Sequence, residues 1–265
     1  MGKNSVQLRF YFRPGFTESE AECGHITAAA RRVAKQCFPT LPEYQCLSTD
    51  PNALNDKVIS IAYDRDGEPI GFCSSVILPV RGVGDVLHLG LTCVGPQARG
   101  LGLTHKLTAH ALTQYVLRYR PVGRTWISNV ACVLSSLGNV ALNFENVYPS
   151  PNGPARPGIT HRRIARAIDL HYRRAAYIHE HATFDPEGFV FRRSVAGTVF
   201  EKEATDRRYH HRYDWLNRYY HGLMRMEQGD EVLQVGYVTL LTAFKHAMRR
   251  RRANAESSRY QLAGA

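Results

Sequence analysis

The stretch Val94-Gly95-Pro96-Gln97-Ala98-Arg99-Gly100-Leu101-Gly102-Leu103-Thr104 joins an apolar segment to an amphipathic one. Residues 86–94 are rich in β-forming side chains, which is typical of a buried strand. After the glycines, one helical face is indicated by apolar residues at every fourth position: Leu103, Leu107, Ala111 and Tyr115. Glycine lets the backbone turn tightly and approach a ligand closely. Because the first amides of a helix have no partners within it, the junction is suited to bind phosphate.

The glycine spacing differs from that of two common phosphate-binding loops. The dinucleotide-binding pattern G-x-G-x-x-G is absent because His105 stands at the place of its third glycine. The P-loop pattern is absent because Lys106 lies outside the turn. The stretch resembles instead the acyl-CoA pyrophosphate loop of the GCN5-related N-acetyltransferases, the GNAT superfamily, which is usually written Q/R-x-x-G-x-G/A.

Two alignments to this family pattern are open. Residues 97–102 match it literally. Placing Val94 and Pro96 at their usual family positions starts the pattern at Arg99 instead, and Thr104 then stands where glycine or alanine is expected. A threonine hydroxyl there is able to cap the helix or to touch phosphate. A tight turn that binds nothing is the alternative explanation of the glycines.

The segments around the loop follow the order of elements in the superfamily. Two strand-like runs, 57–64 and 69–80, flank an Asp-Gly hairpin signal at Asp66-Gly67. Beyond the loop and its helix, the pattern predicts a strand over 124–134 and a helix over 137–147.

A strand over 6–12 and a helix over about 18–37 are predicted before the hairpin, the helix from capping-box spacing at residues 17–20. Together with the loop, this order implies an α/β fold of the GNAT type. Such a fold is a mixed, mostly antiparallel twisted sheet flanked by helices.

The C-terminal half, 156–265, is interpreted as completing the same sheet. Apolar stripes predict helices near 164–178 and 209–223. Strand-like runs stand at 188–192, 197–202 and 231–241, followed by a basic terminal helix. We therefore expect a single domain over 1–265, with an acyl-CoA-binding core at about 57–150 and helical insertions in the C-terminal half.

Composition narrows the function classes. The formal net charge is +11, and four consecutive arginines occupy 249–252. Nucleic acid is a rival partner for such charge, but the run lacks a recognisable reading motif and is expected to be a solvated helix face. No apolar run is long enough to cross a membrane, and the six cysteines form no C-x-x-C pair, so a cytoplasmic protein with reduced thiols is expected.

The GNAT resemblance implies acetyl-CoA, or another acyl-CoA, as cosubstrate. It implies that the pyrophosphate binds to loop residues Gln97, Arg99, Gly100, Leu101, Gly102, Leu103 and Thr104. It also implies that the backbone N–H of Val94 or of its neighbour Cys93 binds the acyl carbonyl oxygen. Asn129, on the fifth strand, is a candidate to bond the pantetheine arm.

The proton-transfer groups are less clearly indicated. Period-two counting places Val86, His88, Gly90, Thr92 and Val94 on one face of a strand, apart from Leu87, Leu89, Leu91 and Cys93. His88 is thus a candidate base, although a structural histidine is the favoured explanation. The tyrosine that the family often uses as acid falls on Glu145 here, and Tyr148 comes three residues later, so both are candidates.

The resemblance therefore implies an N-acyltransferase in which an amine attacks the thioester directly, the acceptor being a small amino-containing metabolite. A protein acceptor, a non-catalytic CoA-binding module and a basic nucleic-acid-binding protein are the alternatives, and a homodimer is left open. No histidine spacing matches a zinc signature, so no metal is expected.

Overall fold

The structure, a computed structural model, describes residues 6–242, which include a single nine-stranded sheet. The strands are β1 (Gln7–Phe12), β2 (Lys57–Tyr63), β3 (Pro69–Val80), β4 (Gly84–Val94), β5 (Thr125–Ala131), β6 (Glu145–Tyr148), β7 (Thr183–Asp185), β8 (Val190–Arg192) and β9 (Glu231–Val238). The helices are α1 (Pro14–Thr17), α2 (Glu20–Ala34), α3 (Leu103–Tyr119), α4 (Leu134–Asn143), α5 (Ile159–His171) and α6 (Asp214–His221).

The strands lie in the order β1, β2, β3, β4, β5, β9, β8, β7, and β6 also pairs with β9. Within the described residues, every pairing is antiparallel except that of β4 with β5. The sheet is open, with β1 and β7 at its ends. The predicted mixed, mostly antiparallel sheet flanked by helices is confirmed.

Helices cover both faces of the sheet. α2 packs its Ile26 and Val33 against Ile59 of β2, whereas α3 packs against the neighbouring residue Val58. Successive side chains of a strand point to opposite faces, so α2 and α3 lie on opposite sides. α4 shares the α3 side through Val140.

A β-bulge in β4 changes which face its side chains occupy. Cys73 of β3 pairs with Thr92 and Ser75 pairs with Leu89, so that Gly90 and Leu91 together oppose one residue of β3. Leu87 accordingly packs on the α3 side, but Leu91 and Cys93 pack on the α2 side. The predicted common face for Leu87, Leu89, Leu91 and Cys93 is therefore wrong beyond residue 90, because strict alternation does not survive the extra residue.

Two predicted helices have different bounds. α2 begins at Glu20, where the Ser19 hydroxyl accepts a hydrogen bond from the Glu22 amide, and it ends at Ala34. The helix predicted over 137–147 is α4 at Leu134–Asn143, and the residues after it form β6. β6 is held by pairing with β9, so a tertiary contact overrides the local helical pattern.

The C-terminal half contributes β7, β8 and β9 to the sheet, and β9 lies directly beside β5. The strand predicted at 197–202 is instead a turn, because Gly197 has a φ of 73° and its amide donates to the Glu201 carboxylate at 2.7 Å. The helix predicted near 209–223 is only α6, since the Asn217 side chain bonds both backbone groups of His211 and keeps that residue outside the helix.

The arginines at 249–252 and the predicted basic terminal helix lie outside the described residues. Among the helices of residues 6–242, none is long and apolar enough to cross a membrane.

Candidate functional site

A cavity of about 600 Å³ opens where β4 and β5 part. Their parallel pairing ends at Leu89 and Asn129, and the bulge of β4 follows immediately. Residues 89–92 of β4 and 129–132 at the end of β5 line the opening, with side chains of α3 and α4 on one face of the sheet. Beyond the opening, the cavity is lined by segments of the C-terminal half, at Ala176, Tyr177, Val195, Phe200, Lys202 and Glu231. The cavity thus reaches both faces.

The glycine loop leads directly into the first turn of α3, whose residues Thr104, His105 and Lys106 line this cavity. Gly100 and Gly102 adopt φ values of 82° and 65°, a left-handed backbone that glycine enters freely. Gly102 is the N-cap of α3 and provides no side-chain hydrogen bond to the first turn of that helix. Leu103 is buried and anchors the helix, whereas Thr104 faces outward and lines the cavity. Exposed helix amides beside Arg99 and Lys106 fit the binding of a diphosphate.

Most other residues implied for CoA binding lie near the loop and not on the cavity wall. Gln97 sits in a short 3-10 turn before Arg99, and Leu101 is partly exposed beside it. Cys93 and Val94 are paired with Phe72 and Gly71 of β3 and are not among the cavity-lining residues.

Asn129 does line the cavity. It is 4% exposed, and its amide donates a hydrogen bond to the Gln234 side chain of β9 at 3.2 Å. Gln234 in turn donates to the Tyr220 hydroxyl and to the Leu137 carbonyl oxygen. The network fixes the Asn129 amide at the mouth of the β4–β5 opening.

His88 lies on the α5 side of β4 and is not among the cavity-lining residues, although its neighbour Leu89 is. It is 1% exposed, its Nδ1 is 2.9 Å from the Ser128 hydroxyl, and its Nε2 is the one buried side-chain polar atom of the described residues that has no partner. Burial lowers the pKa of His88 to about 4, so the ring is neutral at pH 7. The structure does not bring His88 together with the cavity.

Glu145 and Tyr148 are the first and last residues of β6, which follows α4 in the chain. The Glu145 carboxylate accepts hydrogen bonds from the hydroxyls of Thr239, at 3.0 Å, and Thr242. The Tyr148 hydroxyl donates to the Glu187 carbonyl oxygen at 2.5 Å, and burial raises its pKa. Neither residue lines the cavity, although Thr242 does.

Cys93 lies in contact with a second thiol, Cys37, which follows α2. The Cys37 thiol donates to the Val94 carbonyl oxygen at 3.5 Å. Hydrogen bonding from Cys93 lowers the pKa of Cys37 to about 7, outweighing burial, and the charge of Arg99 acts in the same direction. The other five cysteines have raised pKa values.

We expect iodoacetamide at pH 7 to alkylate Cys37 before any other cysteine, because the thiolate is the reactive form. Peptide mass mapping over a time course measures the order. The Cys37→Ser variant is expected to lose the fast phase. Fast labelling that persists in this variant, or that maps to half-buried Cys23, would contradict the assignment.

Glu231, at the start of β9, is the one carboxylate among the described residues that line the cavity. It is 7% exposed and accepts a hydrogen bond from the Ser194 hydroxyl at 2.6 Å. Burial raises its pKa to about 7, against the opposing effect of that hydrogen bond. A carboxyl group with such a pKa is suited to accept a proton near neutral pH.

The neighbouring acid, Asp230, is engaged differently. It accepts hydrogen bonds from the Arg192 guanidinium at 2.9 Å, from the Arg193 amide at 3.0 Å and from Arg225. Burial opposes its ionisation, but these donors outweigh burial and lower its pKa. Asp230 is therefore a structural ion-pair partner, whereas the cavity position and raised pKa of Glu231 make it able to accept a proton.

Sequence reasoning missed Glu231. Its position as an acid at the start of the apolar run 231–238 was the available signal, because an acid there is expected to be buried. The sequence also did not single out Tyr44, Tyr177, Phe200 and Lys202, which lie with Glu231 on the cavity wall.

Residues 25–129 match the family model described as "Acetyltransferase (GNAT) family". Solved structures show weak similarity. A CoA complex of an aminoglycoside N-acetyltransferase is 19% identical over 54% of this chain and 90% of its own, with a TM-score of 0.37. An acyl-CoA N-acyltransferase from Pseudomonas aeruginosa is 21% identical over 51% and 86%, with a TM-score of 0.37. A Trypanosoma brucei acetyltransferase is 16% identical over 58% and 100%, with a TM-score of 0.37. No curated protein matches the chain.

Proposed function

Because residues 25–129 match the GNAT acetyltransferase family model, we propose that the chain is a GNAT enzyme that transfers the acetyl group of acetyl-CoA to the amino group of a small molecule. The observation that carries the proposal is the cavity through the sheet, which runs from the uncapped N-terminus of α3 to the buried carboxyl group of Glu231. Both halves of the chain line this cavity, so we propose that they act as a single domain.

The donor is proposed to lie on the α3 and α4 side. The pyrophosphate binds the amides of residues 97–104, where the first turn of α3 is open to an anion. The pantetheine arm follows the opening between β4 and β5, within reach of Asn129. Backbone groups of β4 beyond Leu89 are no longer paired with β5, so they are proposed to hold the thioester and its oxyanion at the bulge. This position is closer to the cavity than Val94 or Cys93.

The acceptor amine is proposed to enter from the other face and to meet the thioester beside Glu231. The amine nitrogen attacks the carbonyl carbon, the tetrahedral oxyanion collapses, and the bond to the CoA sulfur breaks. The proton lost by the amine passes to Glu231, directly or through one water, and a proton returns to the CoA thiolate. Positioning of the two reactants supplies most of the acceleration in such a transfer.

Calorimetric titration with acetyl-CoA tests the proposal, with desulfo-CoA and ATP as comparators and free thiol followed over hours. We expect both CoA compounds to bind, ATP to bind more weakly, and thiol to appear when an amine is added. Binding of acetyl-CoA without thiol release from any amine would favour a non-catalytic CoA-binding module. If neither CoA compound binds, the assignment of the glycine loop is wrong.

A further inference from the structure

The acceptor end of the cavity has an aromatic wall, defined by Tyr44, Tyr177 and Phe200. Ring centroids are 5.0 Å apart for Tyr44 and Tyr177, 4.6 Å for Tyr177 and Phe200, and 5.9 Å for Tyr44 and Phe200, all in edge-to-face orientation. Each of the three residues lines the cavity. Edge-to-face packing holds the rings as one unit and leaves flat apolar surface toward the cavity.

Two segments that carry this wall are held in an uncommon backbone conformation. Gln45 and Tyr177 have φ values of 54° and 58°, in the left-handed region that side chains other than glycine rarely adopt. The Gln45 side chain links the segments, since its amide donates to the Ala175 carbonyl oxygen at 3.5 Å and its oxygen accepts from the Ser74 hydroxyl at 3.0 Å. Backbone strain of this kind persists where surrounding contacts determine it, and it is frequent at ligand sites.

Two charged residues line the acceptor side of the cavity, the acid Glu231 and the base Lys202. Glu231 lines the same cavity as the aromatic wall, and its charge acts on Tyr44. Lys202 also lines the cavity, and its ammonium group donates to the carbonyl oxygens of Val199, at 2.9 Å, and Glu201, at 3.2 Å. Both charges act on the Cys132 thiol in opposite directions, since Glu231 raises its pKa and Lys202 lowers it.

This arrangement discriminates by the number of positive charges on the acceptor. A single ammonium group has Glu231 as its partner. A second ammonium group would meet no further cavity-lining carboxylate within residues 6–242 and would be repelled by the Lys202 charge. Unpaired charge next to a like charge is an effective means of rejecting a competing ligand.

We propose that the acceptor is a primary monoamine with an aromatic or similarly flat apolar body, which packs on the aromatic wall while its nitrogen meets Glu231. The inference rests on the proposed function. It excludes polyamines and polycationic sugars as preferred acceptors of this site.

The probes are 2-phenylethylamine, n-butylamine, spermidine and kanamycin, each assayed by thiol release from acetyl-CoA with the full chain. Burying a phenyl ring is expected to raise kcat/KM for 2-phenylethylamine about tenfold or more above that of n-butylamine. Spermidine and kanamycin are expected to be poorer than both. Equal values for the two monoamines, or a preference for either polycation, would overturn the inference and leave the proposed function standing.

Variants of the wall and of the lysine sharpen the test. Phe200→Ala is expected to raise KM for 2-phenylethylamine about tenfold and to change kcat by less than about threefold, whereas Phe200→Leu keeps most of the affinity. Phe16→Ala is the control, because Phe16 is 65% exposed and does not line the cavity. Lys202→Met is expected to improve spermidine relative to n-butylamine, because it removes the repelling charge. Unchanged KM values in Phe200→Ala would overturn the wall's role.

Binding of 2-phenylethylamine to the desulfo-CoA complex provides a readout that does not depend on turnover. We expect calorimetric affinity for this amine to exceed that for n-butylamine, and Phe200→Ala to abolish the difference. Failure of desulfo-CoA to bind would contradict the proposed function itself. Failure of the amine to bind a complex that does form would overturn the monoamine inference alone.

Discussion

Replacement of Glu231 by Gln is expected to lower kcat at pH 8 by about 10²- to 10³-fold, because general-base catalysis contributes factors of this size. Glutamine keeps the shape of the side chain and still accepts the Ser194 hydrogen bond, but it cannot take a proton. The wild-type kcat is expected to rise with pH through about 7, where Glu231 loses its proton, and this inflection should be missing in the variant. Stopped assays of thiol release across pH 5.5–9 measure both effects.

Stability separates this role from simple disruption of the fold. An acid whose pKa is raised by folding destabilises the folded state as the pH rises above the unfolded value, and for Glu231 the loss reaches about 3 kcal/mol above pH 7. Glu231→Gln removes that cost, so it should unfold at a higher temperature than the wild type at pH 8, with little difference at pH 4. Glu180→Gln, at an exposed carboxyl group, is the control. An active Glu231→Gln protein would contradict the assignment.

Gly102→Glu is expected to weaken acetyl-CoA binding by about 100-fold or more, because it places a carboxylate where the pyrophosphate is proposed to bind. The matched control is Gly102→Asn. Asparagine tolerates the φ of 65° at this N-cap and carries no charge, so its affinity should stay within about tenfold of the wild type.

Calorimetric titration of both Gly102 variants measures the difference, and circular dichroism with thermal melting shows whether each is folded. Added Cβ atoms at position 102 meet no neighbour within 4 Å, so any loss of fold would come from the backbone conformation alone and should appear in both variants. Wild-type affinity in a folded Gly102→Glu protein would remove the loop from the donor site.

The elements with strong local patterns were predictable from the sequence. β3 has the bounds 69–80 that its strand-like run and the neighbouring turn residues indicate, and α3 begins at Leu103, directly after the second glycine of the loop. The hairpin turn is equally local, since the Asp64 carboxylate accepts from the amides of Asp66 and Glu68 and Gly67 has a φ of 82°. Each of these features depends on residues a few positions apart.

The acceptor side was not predictable, because its parts meet only in the folded chain. Tyr44 and Tyr177 are separated by more than a hundred residues, and nothing in either local segment indicates the other. The pKa of Glu231 depends on burial by distant segments, which no spacing rule expresses. The bulge at Gly90 was missed for a related reason: an inserted residue leaves the apolar composition of β4 unchanged while exchanging the faces of Leu91 and Cys93.

The passage between β4 and β5 has a consequence for the order of events. Its lining reaches both faces of the sheet, with the first turn of α3 on one side and Glu231 on the other. A donor and an acceptor that enter from opposite sides, as proposed, do not block each other, so we expect both to be held at once and no protein group to carry the acetyl group between them. Initial-rate plots should then intersect, as for a sequential mechanism. Burial raises the pKa of Cys132 to about 12, and a sequential mechanism does not require this thiol to form an acetylated intermediate.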